Sequence, residues 1–384
     1  MKQAVIVGAG IAGLATARRL GQDGWRTLVV ERAPARRRSG YLVNLIGPGY
    51  DAAEHLGLLP RLAAHALGPF TTVLVHGDGR PKFTVPAAIA EATLGTRAMT
   101  VFRGDLEAAL HDTVYDRADI RFGTTVTAIH QDSDHVRVTL SDSSTHHADL
   151  LVGADGVHSA TRTAVFGPGH RVDLPYLVAA FPLPHPVPGV PGSSATTFIG
   201  PGRTAAIVNL GPRRSSAFFT YRHADPPTEL ARGPVDAIDA AFGDLAGGVP
   251  DAIRQLAGDP AGAYFDAVSQ ITMPRWHTGR VVLLGDAAWC VTLFAGHGAA
   301  LALAGADRLG TALHRHDDIP AALTDWETGL RPEITRRQAI ARRGMRQYAP
   351  PTRFHVWMGD LTIRAITLPG IRGLVRRGIA RAHR

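Results

Sequence analysis

The chain has 384 residues, of which 45% are hydrophobic and 19% charged, and it contains 42 glycines and 26 prolines. This composition is typical of a globular protein large enough for two domains, and it excludes collagen-like and disordered chains. The formal net charge is +8, carried almost entirely by arginine because Lys2 and Lys82 are the only lysines. The arginines are scattered and form no stripe with interleaved aromatic residues, so the charge does not predict a nucleic-acid partner.

The single cysteine and the lack of long apolar runs narrow the class of protein further. Cys290 has no second thiol to pair with, which excludes an intramolecular disulfide and a zinc site of paired thiolates. No apolar stretch reaches the roughly 20 residues that a spanning helix needs, and residues 1–7 lack the pattern of a secretory signal. We therefore expect a cytoplasmic protein with no metal site and no membrane partner.

The first 31 residues predict a strand, a helix and a second strand. Residues 4–7 and Arg26–Glu31 are short apolar runs typical of buried parallel strands. Between them Ile11, Leu14 and Ala15 recur at helical spacing. A unit of this length is typical of βαβ, so the chain opens as a doubly wound α/β fold.

The rest of the chain alternates between strand-rich and helical regions. We predict strands at residues 41–46, 126–130, 136–140, 150–152, 195–199, 204–210, 217–221 and 281–284, and helices at 50–56, 60–67, 103–114 and 299–313. Broken short strands between 71 and 101 indicate an excursion out of the first domain. We assign residues 1–70, 101–172 and 273–330 to a discontinuous α/β domain, 71–100 and 173–272 to an inserted antiparallel β-sheet domain, and 331–384 to a C-terminal helical region.

The first of three motifs is the string GAGIAG at residues 8–13, between the first strand and the first helix. Gly8 permits a tight turn, Gly10 lets the backbone approach a pyrophosphate, and Gly13 allows close helix packing. The N-terminus of the helix offers unpaired N–H groups to an anion. Glu31 ends the second strand, where its carboxylate can accept hydrogen bonds from a ribose. Strand, helix and acid in this register predict a dinucleotide site.

Two further strands lead into polar glycine turns. The string DLLVGADGVHSATR at residues 149–162 brings Asp155 to the end of a strand, and Ser159 is placed to cap a helix that begins with Arg162 in its first turn. The string GRVVLLGDAA at residues 279–288 delivers Asp286 to a position where its carboxylate can bind a sugar hydroxyl.

Together, in this order and spacing, the three motifs resemble the class A flavoprotein monooxygenases, which share the fold of para-hydroxybenzoate hydroxylase. The resemblance extends from residue 1 to about residue 315. It implies an α/β protein in which a doubly wound, FAD-binding Rossmann-like domain carries an inserted antiparallel β-sheet substrate domain and C-terminal helices. It also implies FAD and NAD(P)H as cofactors, with dioxygen and a small molecule as substrates, in a monomer or homodimer.

The resemblance assigns roles to individual residues. Glu31 holds the adenosine ribose, Arg103 contacts the phosphate and ribityl region, and Asp286 binds the ribityl chain. Asp155 and Gly156 contact FAD and serve the nicotinamide cofactor. The full set of predicted cofactor contacts is Gly8, Gly10, Ile11, Ala12, Gly13, Glu31, Arg32, Arg103, Asp155, Gly156, Gly285, Asp286, Gly296, Gly298 and Ala299.

The string FAGHG at residues 294–298 precedes an apolar helix, whose positive end can stabilise the anion of reduced flavin. This string is similar to that of tetracycline-inactivating members of the family. His297 is a candidate proton donor or substrate contact, and the alternative is a purely positional role in the loop. Family members usually carry one or two prolines where this chain has Thr292 and Leu293, which puts the oxygen-transfer step in question but not FAD binding.

The resemblance implies a monooxygenase that hydroxylates or epoxidises an organic, aromatic or polycyclic natural-product intermediate through a flavin hydroperoxide. Two alternatives stay open. One is an enzyme whose FAD is structural and whose cavity promotes a redox-neutral cyclisation, such as a Diels–Alder-type cycloaddition. The other is a non-enzymatic flavin redox sensor. The substrate and the choice between NADH and NADPH are not predicted.

Four other features have both a functional and a structural interpretation. Cys290 is either a reactive thiol or a small buried apolar residue. Arginines 36–38 either approach a phosphate or form a solvated loop. Aromatic residues on the strands of the inserted domain, Phe198, Phe218, Phe219 and Tyr221, line a substrate cavity or pack in the core. The basic, apolar stretch from Leu361 either lies on an anionic membrane or, as we favour, packs against the FAD domain.

Overall fold

The computed structural model describes residues 1–36, 41–89, 95, 97–211 and 214–367. The strands are β1 Gln3–Val7, β2 Arg26–Glu31, β3 Leu42–Ile46, β4 Thr71–Val75, β5 Pro81–Val85, β6 Ala98–Phe102, β7 Asp119–Phe122, β8 Val126–Gln131, β9 Val136–Leu140, β10 Thr145–Ala148, β11 Leu150–Gly153, β12 Arg171–Leu183, β13 Ser194–Gly200, β14 Arg203–Asn209, β15 Ser215–Arg222, β16 Tyr264–Ile271, β17 His277–Thr278 and β18 Val281–Leu283.

The helices are α1 Ile11–Gln22, α2 Pro48–His55, α3 Leu59–Ala63, α4 Arg103–Val114, α5 Ala160–Phe166, α6 Pro226–Arg232, α7 Pro234–Phe242, α8 Val249–Gly258, α9 Asp286–Trp289, α10 Gly298–Arg315, α11 Ile319–Tyr348 and α12 Arg353–Thr367. Short 3-10 turns occupy Pro260–Gly262 and Leu293–Ala295. Within these described ranges, no helix is both long and apolar enough to cross a membrane.

The first sheet has the strand order β17-β18-β11-β1-β2-β7, and its strands are parallel except for the short β17. Alternate side chains of its strands point to opposite faces. Ile6, Val29 and Val152 pack among the helices on one face of the sheet. Val5 and Val30 belong to a separate core on its other face. Apolar residues on both faces are required because both faces are covered.

The predicted α/β fold is confirmed, with one feature that the sequence did not indicate. The second face of the first sheet is covered by the antiparallel sheet β10-β9-β8, whose Val136, Val138 and Leu140 complete that core. A doubly wound sheet carries helices on both faces. Here a three-stranded sheet replaces the helices of one layer.

A seven-stranded sheet with the order β16-β12-β15-β14-β13-β4-β5 forms the second half of the structure. Its pairs are antiparallel except for β13 with β4. Helices α7 and α8 cover one face, where Phe219 and Tyr221 are buried against Phe242. We propose that this sheet with its helices is the inserted domain, with the limits predicted from the sequence.

The aromatic side chains predicted on these strands divide between the two faces. Phe219 and Tyr221 belong to the sheet–helix core, and Phe198 packs against it. Phe218 lies on the opposite face, with Tyr176 and Phe294. Only Phe218 of the four therefore faces the side on which α11 and the loop before α10 lie.

The last helix does not pack where we expected it. The sequence favoured terminal helices against the first domain, but α12 contacts β5 and β13 at the edge of the second sheet. Lys82 Nζ lies 3.2 Å from Asp360 Oδ2, and the Arg364 guanidinium lies 4.9 Å from the centre of the Phe83 ring. That expectation is wrong for α12, and residues 368–384 lie outside the described residues.

Substitution of Gly49 tests the packing of α2 against α10. A Cβ atom at Gly49 would overlap the Cα and Cβ of Ala300, whereas one at Gly21 in α1 meets no atom within 4 Å. We expect Gly49→Ala to lower the free energy of unfolding by about 1–3 kcal/mol through overpacking. Gly21→Ala, the matched control, should be neutral or stabilise α1 by up to about 1 kcal/mol. Urea denaturation of both variants measures this; equal midpoints would contradict the packing.

Candidate functional site

Three turns meet at one edge of the first sheet. β1, β11 and β18 are adjacent and parallel, so the glycine turns that follow them lie side by side at their carboxyl ends. Backbone hydrogen bonds join the neighbours: Ala154 N donates to Val7 O at 2.8 Å, and Leu284 N donates to Gly153 O at 2.9 Å. The structure therefore brings together the three motifs that the sequence separates by more than 100 residues each.

The glycines of the first turn have different surroundings. A Cβ at Gly13 would overlap the carbonyl oxygen of Gly8, and one at Gly8 would lie 2.5 Å from Ala154 O. Gly8 also has a φ of +105°, which L side chains rarely adopt. A Cβ at Gly10 would meet no protein atom within 4 Å. Gly8 and Gly13 are thus fixed by the fold, while Gly10 borders open space that a ligand can occupy.

The same turn presents unpaired backbone donors. Gly10 caps α1 without a side-chain hydrogen bond, and the first turn, which contains Ile11 and Ala12, holds no acidic residue. Glu31 is fixed beside this turn, because its carboxylate accepts from Ala9 N at 2.9 Å and from Ala33 N at 2.8 Å. An uncapped helix N-terminus next to a positioned carboxylate suits a phosphate linked to a ribose.

Arg32, the residue after Glu31, is exposed. Its predicted contact with the cofactor stays a prediction. Of the arginines at 36–38, residues 37 and 38 lie outside the described residues, and Arg36 is exposed.

In the second motif the Asp155 carboxylate is occupied within its own turn. It accepts from Ser159 Oγ at 2.5 Å and from both the backbone N and Oγ1 of Thr161 at 3.0 Å. Ser159 in turn caps α5 by accepting from Arg162 N at 2.9 Å, as the sequence predicted. Asp155 therefore shapes the loop at the sheet edge. Gly156, with a φ of +79°, completes that loop.

Arg162 joins the second motif to the third. Its guanidinium is buried and donates to Ala287 O at 3.0 Å and to Val157 O at 2.8 Å. Burial lowers the pKa of Arg162, and the Asp155 carboxylate opposes that shift. Gly285 completes the contact among the motifs, since a Cβ there would lie 2.8 Å from Ala12 Cβ.

Asp286 is the first residue of α9. Its side chain is accessible to solvent although it is surrounded by protein. Burial raises the pKa of the Asp286 carboxyl, and Arg103 counteracts that effect. Arg103 pairs with Glu107 at 2.8 Å, and its guanidinium lies 5.4 Å from the centre of the Tyr41 ring. The centre of the Tyr264 ring is 6.0 Å from that of Tyr41.

The surroundings of Arg103 and of the two tyrosines fix their protonation states. Burial opposes the charge of Arg103, but Tyr41, Glu107 and Asp286 raise its pKa above the ordinary value, so the guanidinium stays protonated. Burial raises the pKa of the Tyr41 and Tyr264 hydroxyls, which therefore remain neutral donors. The surroundings of Asp286 thus offer a cation, an acid and two phenolic O–H groups to a polar ligand.

The loop at residues 290–297 lies between α9 and α10 and is held by side chains from other elements. Gln338 Nε2 of α11 donates to the carbonyls of Ile271, Trp289 and Cys290 at 2.8–3.3 Å. Gln270 Nε2 of β16 donates to Val291 O at 3.3 Å. Gly298 begins α10 without a side-chain cap and without an acid in its first turn, which includes Ala299. The N–H groups of that turn are available to an anion.

The hydrogen bonds of His297 assign its tautomer. Its Nδ1 contacts the Ala295 carbonyl, which only accepts, and its Nε2 lies 2.8 Å from Arg337 Nη1, which only donates. The ring is therefore neutral, with its proton on Nδ1. Both nitrogens hold the loop in place, together with Gly296, whose φ is +62°. This arrangement supports the positional role of His297 over proton donation.

Thr292 is strained and buried. It has a φ of +88°, which is rare for a β-branched residue. Its side chain is 4% exposed, and Thr292 Oγ1 has no hydrogen-bond partner within the described structure. A proline could not adopt this φ. The backbone at residue 292 is therefore closed to proline, which the resembling family usually carries at one or both of positions 292 and 293.

Burial raises the pKa of the Cys290 thiol well above its ordinary value, so Cys290 is a neutral thiol. Its Sγ donates a weak hydrogen bond to Ser269 O at 3.4 Å. The structure therefore favours the interpretation of Cys290 as a small, largely buried residue over that of a reactive thiolate, because a nucleophilic cysteine needs a lowered pKa.

Several residues of the site were missed in the sequence. Glu107 stands four residues after Arg103 in a helix, and this spacing in the sequence could have predicted their ion pair. Tyr41, Tyr264 and Gln338 reach the site only through long-range packing. His158 Nε2 also binds Asp266 at 2.7 Å, while Arg171 Nη1 donates to His158 Nδ1 at 2.6 Å. No local pattern marks these residues.

Three adjacent glycine turns and two uncapped helix N-termini at the carboxyl edge of a parallel sheet define a dinucleotide-binding protein. Residues 1–317 match the FAD binding domain family, and the chain belongs to it. The residues present fit FAD, because the open space at Gly10, the uncapped end of α1 and the polar groups around Asp286 suit its phosphates and polyol.

Relatives of known structure or activity agree with this assignment. An FAD-dependent monooxygenase of Sarocladium schorii is 28% identical over an alignment of 396 positions, and the alignment covers 95% of this chain and 92% of that protein. Tetracycline destructase Tet(55) superposes with a TM-score of 0.81 at 25% identity, covering 95% of this chain and 96% of that one. HpxO of Klebsiella pneumoniae, solved with FAD and uric acid, superposes with a TM-score of 0.80 at 25% identity, covering 100% of this chain and 96% of that one.

The protein is therefore an FAD-dependent oxidoreductase of the class A flavoprotein monooxygenases, and the resemblance stated from its motifs is confirmed. The individual contacts to FAD predicted for the site residues stay predictions.

Gly10 and Gly13 form a matched pair that separates ligand contact from packing. Gly10→Ala adds a methyl group to open space, so we expect unchanged stability without FAD and an FAD affinity lowered on the order of tenfold or more by a steric clash of roughly 1–3 kcal/mol. Gly13→Ala should instead destabilise the protein itself. Urea denaturation of the FAD-free protein and fluorescence titration with FAD measure the two effects. Unchanged FAD affinity in Gly10→Ala would contradict the site.

Thr292→Gly tests the strain in the loop before α10. Glycine tolerates a positive φ and leaves no buried hydroxyl, so we expect the variant to be more stable by about 1–2 kcal/mol. Thr292→Val keeps the β-branched strain and removes only the hydroxyl, and it should gain less. Thermal unfolding of the FAD-free proteins measures both. A destabilised Thr292→Gly would show that the loop conformation is not strained.

Proposed function

We propose that the protein is an NAD(P)H-dependent monooxygenase that hydroxylates or epoxidises an apolar aromatic or polycyclic substrate with dioxygen. The observation that carries this proposal is an apolar cluster, which we call the apolar wall, on the face of the second sheet opposite α7 and α8. There Tyr176, Val178 and Val268 are buried with Phe294 of the loop before α10. A planar apolar molecule is the ligand that we expect beside such a cluster.

Aromatic contacts fix this wall. The Phe294 ring stacks on Tyr348 of α11 with centroids 4.8 Å apart, and it meets Tyr176 of β12 edge-on at 6.0 Å. Three elements are thereby tied together, and water is excluded from the space between them. Exclusion of water protects reactive intermediates from hydrolysis and strengthens electrostatic interactions.

The chemistry that bound FAD would supply is electron transfer from NAD(P)H to dioxygen and transfer of one oxygen atom to the substrate. The protein supplies binding, orientation and charge. The N–H groups at the start of α10 stabilise negative charge, and Arg103 with Asp286 orients a polyol chain. His297 holds the loop through Ala295 and Arg337 and transfers no proton itself.

The names of the similar proteins support this substrate class. One acts on tetracycline, by its name, and another was solved with uric acid; both molecules are ring systems. The apolar wall in this chain favours the larger and less polar of such substrates. Small-molecule substrate, NAD(P)H and dioxygen are the partners that we propose.

Stopped-flow mixing tests the proposal. We expect NADH or NADPH to bleach the flavin absorbance, and a suitable aromatic ligand to accelerate the bleaching several-fold. Phe294→Leu should lose the ring stack on Tyr348, admit water and release more hydrogen peroxide per NAD(P)H consumed. Phe181→Leu, the same substitution in the sheet–helix core, is the control and should leave this ratio unchanged.

The alternatives give other outcomes. Conversion of a polyene without any nicotinamide would favour the cyclase with structural FAD, for which the strained Thr292 at the usual proline position is the relevant observation. Reversible flavin reduction that no ligand accelerates and that yields no product would favour the redox sensor. Failure of both donors to reduce the flavin would contradict the monooxygenase.

A further inference from the structure

The two faces of α12 have opposite environments. Val356, Asp360 and Ile363 lie on the inner face, where Asp360 pairs with Lys82 of β5. The outer face carries four large apolar side chains in solvent, with exposed fractions of 61%, 59%, 43% and 53% for Phe354, Trp357, Met358 and Leu361. We call these four residues the outer stripe.

The outer stripe is continuous. Its members follow the i, i+3, i+4, i+7 spacing of one helix face, and the Phe354 and Trp357 rings stack with centroids 5.9 Å apart. Nine large hydrophobic side chains are exposed in the described part of the chain, and four of them form this stripe. Apolar residues concentrated in this way, rather than scattered, mark an interaction surface.

The charge around the stripe identifies what covers it. Residues 351–384 contain seven arginines and a single acid, Asp360, which Lys82 already neutralises. Five of these arginines stand among residues 368–384, outside the described part of the chain. A second copy would bring the same positive charge to the contact, and so would the terminal residues if they folded back. Repulsion between like charges disfavours both occupants.

We propose that the outer stripe docks on an anionic lipid surface. Aromatic and aliphatic side chains on one helix face, flanked by arginine, enter the boundary between headgroups and acyl chains while the arginines attract anionic headgroups. The contact is peripheral and involves no spanning helix. The proposal departs from the sequence expectation that the protein has no membrane partner.

Trp357 provides a direct readout. The other four tryptophans, Trp25, Trp276, Trp289 and Trp326, are 8% exposed or less, whereas Trp357 is 59% exposed. With the full-length holoenzyme, we expect vesicles of phosphatidylglycerol to shift tryptophan emission to shorter wavelength and to co-sediment with the protein. Vesicles of phosphatidylcholine should do neither, and salt at about 0.5 M should weaken binding to phosphatidylglycerol.

Variants distinguish binding through the outer stripe from nonspecific adsorption to vesicles. Phe354→Ser with Leu361→Ser keeps the Trp357 probe and should lower the bound fraction on the order of tenfold or more. Tyr115→Ser removes an equally exposed aromatic ring, 67% exposed, from a different surface and should have no effect. Flavin absorbance of each variant verifies that the protein is folded.

Three results would overturn the proposal. The first is the absence of an emission shift and co-sedimentation with phosphatidylglycerol. The second is equal binding to phosphatidylcholine, which would remove the role of the arginines. The third is a dimer in sedimentation that the double serine variant dissociates, because the stripe would then be covered by a second copy.

Discussion

The parallel register of β1, β11 and β18 is the constraint on which the cofactor site depends. Because these strands are neighbours and point the same way, each glycine turn finds its partner at the same sheet edge. The hydrogen bonds from Ala154 N to Val7 O and from Leu284 N to Gly153 O hold neighbouring turns side by side, at the distance between adjacent strands. Arg162 adds a side-chain tie to the third turn. One dinucleotide can span the edge only while this order is kept.

The reactive side of the site is built differently, from contacts between the two halves of the structure. The loop at 290–297 is anchored by Gln338 of α11 and Gln270 of β16, and Phe294 packs against Tyr176 and Tyr348. His158 and Asp266 connect the second motif to the second sheet. Displacement of either sheet would therefore alter the apolar cluster around Phe294 and the start of α10 together.

Local signals explain which parts of the site were predictable. Gly13 and Ser159 act through residues near them in sequence, so their spacing carried the information. Gln338 acts on carbonyls about 50 residues away, and a glutamine in a polar helix resembles any solvated side chain. The position of α12 was wrong for a related reason: basic, apolar residues predict a helix face but not the surface on which the helix packs.

The site also contains groups that oppose folding. Asp286 sits where burial disfavours its charge, and Thr292 combines a positive φ with a buried hydroxyl that lacks a partner in the described structure. Strained residues and buried groups without partners concentrate at functional sites, where the surrounding structure holds them in place. Here the buried apolar packing around Phe294 and the side-chain amides of Gln338 and Gln270 supply that support. A ligand that donates hydrogen bonds to Asp286 would recover part of the cost, so FAD binding and stability should rise together.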